Sequence, residues 1–123
     1  MDFKLKDARP IWQQLADQMT ESIVTGEYKP GERFPSVRDL ALQAGVNPNT
    51  MQRALSKLEE NGLLVTSRTA GRNVTEDEET LRATRETLAE KRVKEYLDDM
   101  EKLGFSRLSA AEYAGKIQEE EEI

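Results

Sequence analysis

The chain has 123 residues, 37% of them apolar and 34% charged, which suits one modest core with an appendage rather than two full domains. It holds neither cysteine nor histidine, which excludes disulfides, thiolate metal sites, a cysteine nucleophile and the commonest general base and metal ligand. Residues 1–75 carry ten Lys/Arg against nine Asp/Glu, a net of +1, and residues 76–123 carry eight against fifteen, a net of −7, so the total of −6 does not bar phosphate contacts in the first part.

In chain order, a first helix is predicted from about Pro10 to Thr25. Pro10 suits a first turn, Ile11, Leu15, Met19 and Ile23 form an apolar stripe, and Gly26 ends it. Tyr28–Glu32 reads as a turn and Arg33-Phe34 as a short strand. A second helix starts at Ser36, which has Asp39 three residues on in capping-box spacing and turns Val37, Leu40 and Ala41 inward. Ala44-Gly45-Val46 is a tight break. Asn47 then caps a third helix with Pro48 in its first turn, and Met51, Ala54, Leu55 and Leu58 make its buried face. Asn61-Gly62 closes that helix. Leu63–Ser67, the turn Thr69-Ala70-Gly71-Arg72 and Asn73-Val74-Thr75 follow as a strand, a turn and a returning strand.

After residue 75 the character changes, and the domain boundary is placed there. Thr75 and Glu78 form a capping box for a long helix reaching about Leu103, with Leu81, Leu88, Val93, Leu97 and Met100 on its apolar stripe. Gly104 breaks it. Ser109 and Glu112 cap a last helix carrying Tyr113, Ala114 and Ile117, and Glu119–Glu122 reads as a solvated end. The fold class is therefore mainly α with a small β-wing: a winged helix-turn-helix over residues 1–75 and a short two-helix segment over 76–123.

Two helices joined by a tight turn form a helix-turn-helix, whose second helix enters the major groove with its leading residues on base edges. Asn47, Asn49, Thr50, Gln52 and Arg53 occupy that leading edge, off the buried stripe. Asn and Gln can pair with adenine and Arg with guanine, while Thr and Asn also reach phosphates. Lys57, further along, suits a backbone contact. Arg68 and Arg72 at the tip of the wing suit a phosphate or minor-groove contact. Each has a plainer reading: Asn47 as a cap, the polar face of the third helix as simply solvated, Arg68 and Arg72 as ordinary turn charges, and Arg38 as a surface partner of Asp39 or Glu32.

The stretch Ile11–Val74 resembles the DNA-binding domain of the GntR superfamily. The residues that carry the likeness are Tyr28–Ala41, Gly45–Leu55, Leu58-Glu59 and Asn61–Leu64, and Asn47-Pro48-Asn49-Thr50-Met51-Gln52-Arg53 resembles the YtrA-like branch. The resemblance implies that Arg38 contacts DNA together with the polar start of the third helix. It also implies that the short C-terminal helices serve dimerisation, with Leu81, Leu88, Val93, Leu97, Met100, Tyr113 and Ile117 as the candidate residues. A helix with an apolar stripe and no domain of its own needs a partner face in any case. The wing departs from the family pattern Gly-x-Gly-Thr-Phe-Val: Thr69 replaces a glycine and Arg72-Asn73 the Thr-Phe pair, so its backbone is expected to approach the groove less closely.

The expected function is sequence-specific binding of double-stranded operator DNA by a homodimer acting as a repressor on an inverted repeat. A winged-helix protein-interaction adaptor that does not bind DNA stays open, motivated by the net acidity. Enzyme activity is not expected, since no Gly-rich phosphate loop or catalytic constellation occurs. No cofactor, metal or membrane partner is expected: no run of about 18 apolar residues exists, and Met1-Asp2-Phe3-Lys4 lacks a secretory signal, which suits the cytoplasm. No motif identifies a small-molecule effector.

Overall fold

Capping chemistry and helical periodicity place the elements nearly where the residues predict. The computed structural model describes residues 1–6, 8–69 and 71–122. In order these form α1 (Ile11–Val24), α2 (Val37–Ala44), α3 (Pro48–Glu60), β1 (Leu64–Ser67), β2 (Gly71–Val74), α4 (Glu78–Lys102) and α5 (Arg107–Glu121). They fall into two compact units, Met1–Thr84 and Arg85–Ile123.

In the first unit α1 and α2 both pack on α3. Leu15, Met19, Leu40, Met51, Leu55, Leu58, Leu63 and Val74 are its largest fully buried side chains. Ile11, expected to lead the α1 stripe, is 44% exposed, because the first turn of α1 lies ahead of the core cluster, which starts at Leu15. The Ser36 hydroxyl accepts from the Asp39 N–H at 3.1 Å and opens α2. Gly45, at φ +68°, ends α2 in the left-handed conformation that lets the chain reverse directly into α3. There Asn47 Oδ1 accepts from the Asn49 N–H at 2.7 Å, and Pro48 occupies the first turn, where its missing N–H costs nothing. The four apolar residues predicted for α3 are all fully buried.

The wing is a two-stranded antiparallel sheet in which Leu64 pairs with Val74 and Thr66 with Arg72. The strand expected at Arg33-Phe34 is reduced to a single bridge, Arg33 with Asn73. Pro35 follows immediately and has no N–H to continue the ladder. The segment is still tied to the wing, since Val74 N–H donates to the Glu32 carbonyl at 2.9 Å and Phe34 N–H to the Arg72 carbonyl at 2.8 Å. The returning strand begins at Gly71 rather than Asn73, so Arg72 stands in the strand and not in the turn. Ala70 of the expected turn lies outside the described residues.

Before α1 the chain runs back along that helix. The Gln18 amide accepts from the Lys4 N–H at 2.9 Å and donates to the Lys4 carbonyl at 2.7 Å. The Gln14 amide does the same for Lys6, at 2.7 and 2.6 Å. Two glutamines one helical turn apart thus satisfy alternate residues of an extended segment, as a neighbouring strand would.

Both later caps differ from expectation. Asp77, not Thr75, caps α4: its Oδ1 accepts from the Glu79 N–H at 3.1 Å and its carbonyl from the Leu81 N–H at 3.1 Å. Thr75 Oγ1 instead accepts from the Asp77 N–H at 3.0 Å, one step earlier. Ser106, not Ser109, caps α5, its hydroxyl accepting from the Ser109 N–H at 3.1 Å. Leu81 is 8% exposed and belongs to the core of the first unit, which therefore runs past residue 75, where the change in sequence character had set the boundary. In the second unit Gly104, at φ +96°, turns the chain between α4 and α5. The Tyr96 hydroxyl donates to the Ala110 carbonyl at 2.7 Å, Ala110 is fully buried, and the rings of Phe105 and Tyr113 meet at 5.7 Å between centroids.

Candidate nucleic-acid interface

Burial of Met51, Ala54, Leu55 and Leu58 fixes the rotation of α3, so Asn49, Gln52, Arg53, Ser56 and Glu60 stand exposed on its other face. Asn47 is exposed at the tip, but its side-chain oxygen is committed to the cap. Asn49 presents an exposed amide, and Thr50 is half-buried beside it. Gln52 donates to Ser56 Oγ at 3.2 Å along the outer face. The Arg53 guanidinium lies over the Trp12 ring of α1, with Cζ 4.2 Å from the ring centroid. Lys57 sits 3.9 Å from Glu60 in a loose surface pair of little energetic consequence.

Arg38 is exposed in the first turn of α2, and the alternative pairings with Asp39 or Glu32 are not formed. Glu32 instead accepts from the Lys29 N–H at 2.9 Å. Arg68 is exposed in the wing. Neither Arg38 nor Arg68 forms an ion pair among the described residues.

Arg72 is placed otherwise than expected. Its side chain is 20% exposed and forms an ion pair with Glu59, near the end of α3. The other Glu59 oxygen accepts from the Thr66 hydroxyl at 2.8 Å. Thr66 and Arg72 are cross-strand partners, so one carboxylate gathers both strands of the wing onto α3. The Arg72 hydrogen bond holds the Glu59 carboxyl below its usual range, aided by Thr66 and opposed by partial burial. Arg72 is thus not a free cation at the wing tip. Its pairing opposite Thr66 becomes visible only with the register of the wing.

Sequence reading missed Arg33. Its guanidinium nitrogens lie 3.8 and 3.9 Å from the position a Cβ on Gly71 would take, which places a second cation beside the wing. The available signal was a basic residue paired across from Asn73, visible only once the bridge is known.

The predicted dimerisation residues divide. Leu81 is inside the core of the first unit and has no surface to offer a partner. Leu88, Leu97 and Met100 are half-buried, while Val93, Tyr113 and Ile117 are exposed. Leu103, Phe105 and Leu108, which were not foreseen, are exposed on the same unit.

Among the described residues no cluster of acidic side chains is placed to hold a metal ion, and no helix is long and apolar enough to cross a membrane. A three-helix core with a tight α2–α3 turn and a two-stranded sheet after α3 defines a winged helix-turn-helix protein. The model of the gntR family of bacterial regulatory proteins matches residues 12–74. The HTH-type transcriptional regulator YhcF of Bacillus subtilis is 35% identical over 107 residues, 87% of this chain and 88% of that one. The chain belongs to the gntR family and is a winged-helix transcription regulator. It is also similar to the HTH-type transcriptional repressor YtrA of Bacillus subtilis, 39% identical over 75 residues that cover 61% of this chain and 58% of the repressor. A solved GntR family transcriptional regulator from Listeria monocytogenes superposes with a TM-score of 0.80 at 33% identity, covering 91% of this chain and 98% of that chain.

Proposed function

We propose that the chain is a cytoplasmic repressor that binds double-stranded operator DNA as a homodimer. The observation that carries this reading is the division of α3: one face is wholly buried, and the other presents Asn49, Gln52 and Arg53, while Arg38 is exposed on α2. Asn49 and Gln52 have the amide pattern that pairs with adenine. Arg38 meets the phosphate backbone, and Arg33 and Arg68 do so from the wing. Arg72 holds the wing in place through Glu59. The exposed apolar residues of α4 and α5, among them Val93, Leu108, Tyr113 and Ile117, form the face for a second copy. The name of the Bacillus subtilis relative supports repression over activation.

The test is selection of bound sequences from a random duplex pool. The expected product is an inverted repeat whose half-sites lie about 34–36 Å apart or at a multiple of that spacing. Affinity for it should fall steeply as salt rises. No enrichment at low salt would overturn the proposal and favour an adaptor that binds no duplex.

A further inference from the structure

We propose that Trp12 of α1 is a positioning residue for DNA recognition, whose indole holds the Arg53 guanidinium in place at the edge of α3; this rests on the DNA-binding reading above. Arg53 points away from the buried face of its helix and forms no ion pair among the described residues. An arginine in that setting would ordinarily sample many rotamers and lose that freedom on docking. Here it does not hang free: its Cζ stands 4.2 Å from the centroid of a half-buried tryptophan, well inside the range of cation–π attraction.

The kind of partner matters. A carboxylate would fix the side chain, but it would also neutralise its charge and occupy N–H donors that must be freed before a phosphate or base could be bound. Arg72 is in that position, held by Glu59. A ring face attracts the cation through its quadrupole and takes none of its N–H donors. Arg53 is therefore ordered, charged and unspent. Because Trp12 stands on α1, the stack also joins the first helix to the recognition helix on its outer side, where the apolar core does not reach.

Trp12 is the only tryptophan, so the stack can be read without DNA. In the free, full-length protein, Arg53→Ala should change the intensity or wavelength of tryptophan emission, and Arg53→Lys should change it less. Unaltered emission in Arg53→Ala would overturn the stack. For binding, the probe is the duplex that the wild-type protein recovers from a random pool. Trp12→Leu should weaken affinity for it about three- to thirtyfold and Trp12→Phe by less, in the order of ring strength. In the Arg53→Ala background, Trp12→Leu should have almost no further effect. A loss of the same size in both backgrounds would mean that Trp12 merely supports the fold, and would refute the proposal. So would full affinity in Trp12→Leu. A wild-type protein that recovers no duplex would instead remove the DNA-binding reading itself, whatever the emission of Trp12 reports.

Discussion

Arg38, Arg53 and Arg72 carry one charge each and meet three environments. Arg38 has solvent, Arg53 has an aromatic face and Arg72 has a carboxylate. These settings give separable predictions. Arg38→Ala should cost about 1 kcal/mol or more of operator binding and reduce the slope of log affinity against log salt by about one, while leaving thermal stability unchanged. Arg72→Met should lower stability by about 1 kcal/mol, since a half-buried charged hydrogen bond is lost and Glu59 is left with the Thr66 hydroxyl alone. The pH dependence follows from Glu59. Its carboxyl is held below the usual range in the folded chain, so the stabilisation is full above the ordinary glutamate value. It disappears as pH falls through the lower, folded one. Melting curves of wild type and Arg72→Met should therefore differ at pH 7 and converge in acid. A constant difference across that range would contradict the assignment. None of the three environments is readable from residue type. Arg72 and Glu59 are thirteen positions apart and meet only because the wing folds back on α3, and Trp12 meets Arg53 across two elements.

At the scale of elements, the local signals were strongest where one residue had one task. Asn47-Pro48 opens α3 because an amide cap and a proline lacking an N–H suit those two positions and few others. The caps of α4 and α5 fall elsewhere than the spacing predicts, for the opposite reason. Thr75 and Asp77, like Ser106 and Ser109, are neighbouring oxygen-bearing residues with workable spacing. Which one serves depends on whose carbonyl takes the first helical hydrogen bond: Asp77 accepts from Leu81, which faces the core, and Ser106 accepts from Ala110, which is fully buried. The Asn47 cap allows stability and recognition to be separated. Asn47→Ala should cost about 1 kcal/mol of stability. Asn47→Asp should keep the cap and the melting temperature, yet weaken duplex binding, because it adds an anion where the phosphates approach. Equal duplex affinity for wild type and Asn47→Asp would place the tip of α3 away from DNA.

For the whole molecule, the charge division at residue 75 does not coincide with the two units: Met1–Thr84 carries eleven Lys/Arg against thirteen Asp/Glu, a net of −2, and Arg85–Ile123 seven against eleven, a net of −4. Spacing along the sequence groups Leu81 with Leu88, Leu97 and Met100, although Leu81 lies in the first unit and the other three in the second. Period alone reports which face of a helix is apolar, not what covers it. Two substitutions should divide the roles. Leu81→Ala should destabilise the fold by about 2–3 kcal/mol, as a core truncation does, without changing the mass in solution at temperatures below melting. Ile117→Lys, at an exposed position, should leave folding intact and convert the proposed dimer to a monomer in analytical ultracentrifugation. A dimer that survives both Ile117→Lys and Leu108→Lys would require another interface. A shortened chain meant to test dimerisation should end after Thr84, because ending it at Thr75 also removes Leu81 from the core.

The central claim is that the exposed edge of α3 faces the duplex. Amide chemical-shift mapping of the labelled protein, titrated with its selected duplex, tests it most directly. The account predicts that the largest changes gather at Arg38, Asn47–Arg53 and the wing around Arg68, with the Trp12 indole N–H moving alongside Arg53. Changes confined to α4 and α5, with the α3 edge unmoved at saturation, would contradict it.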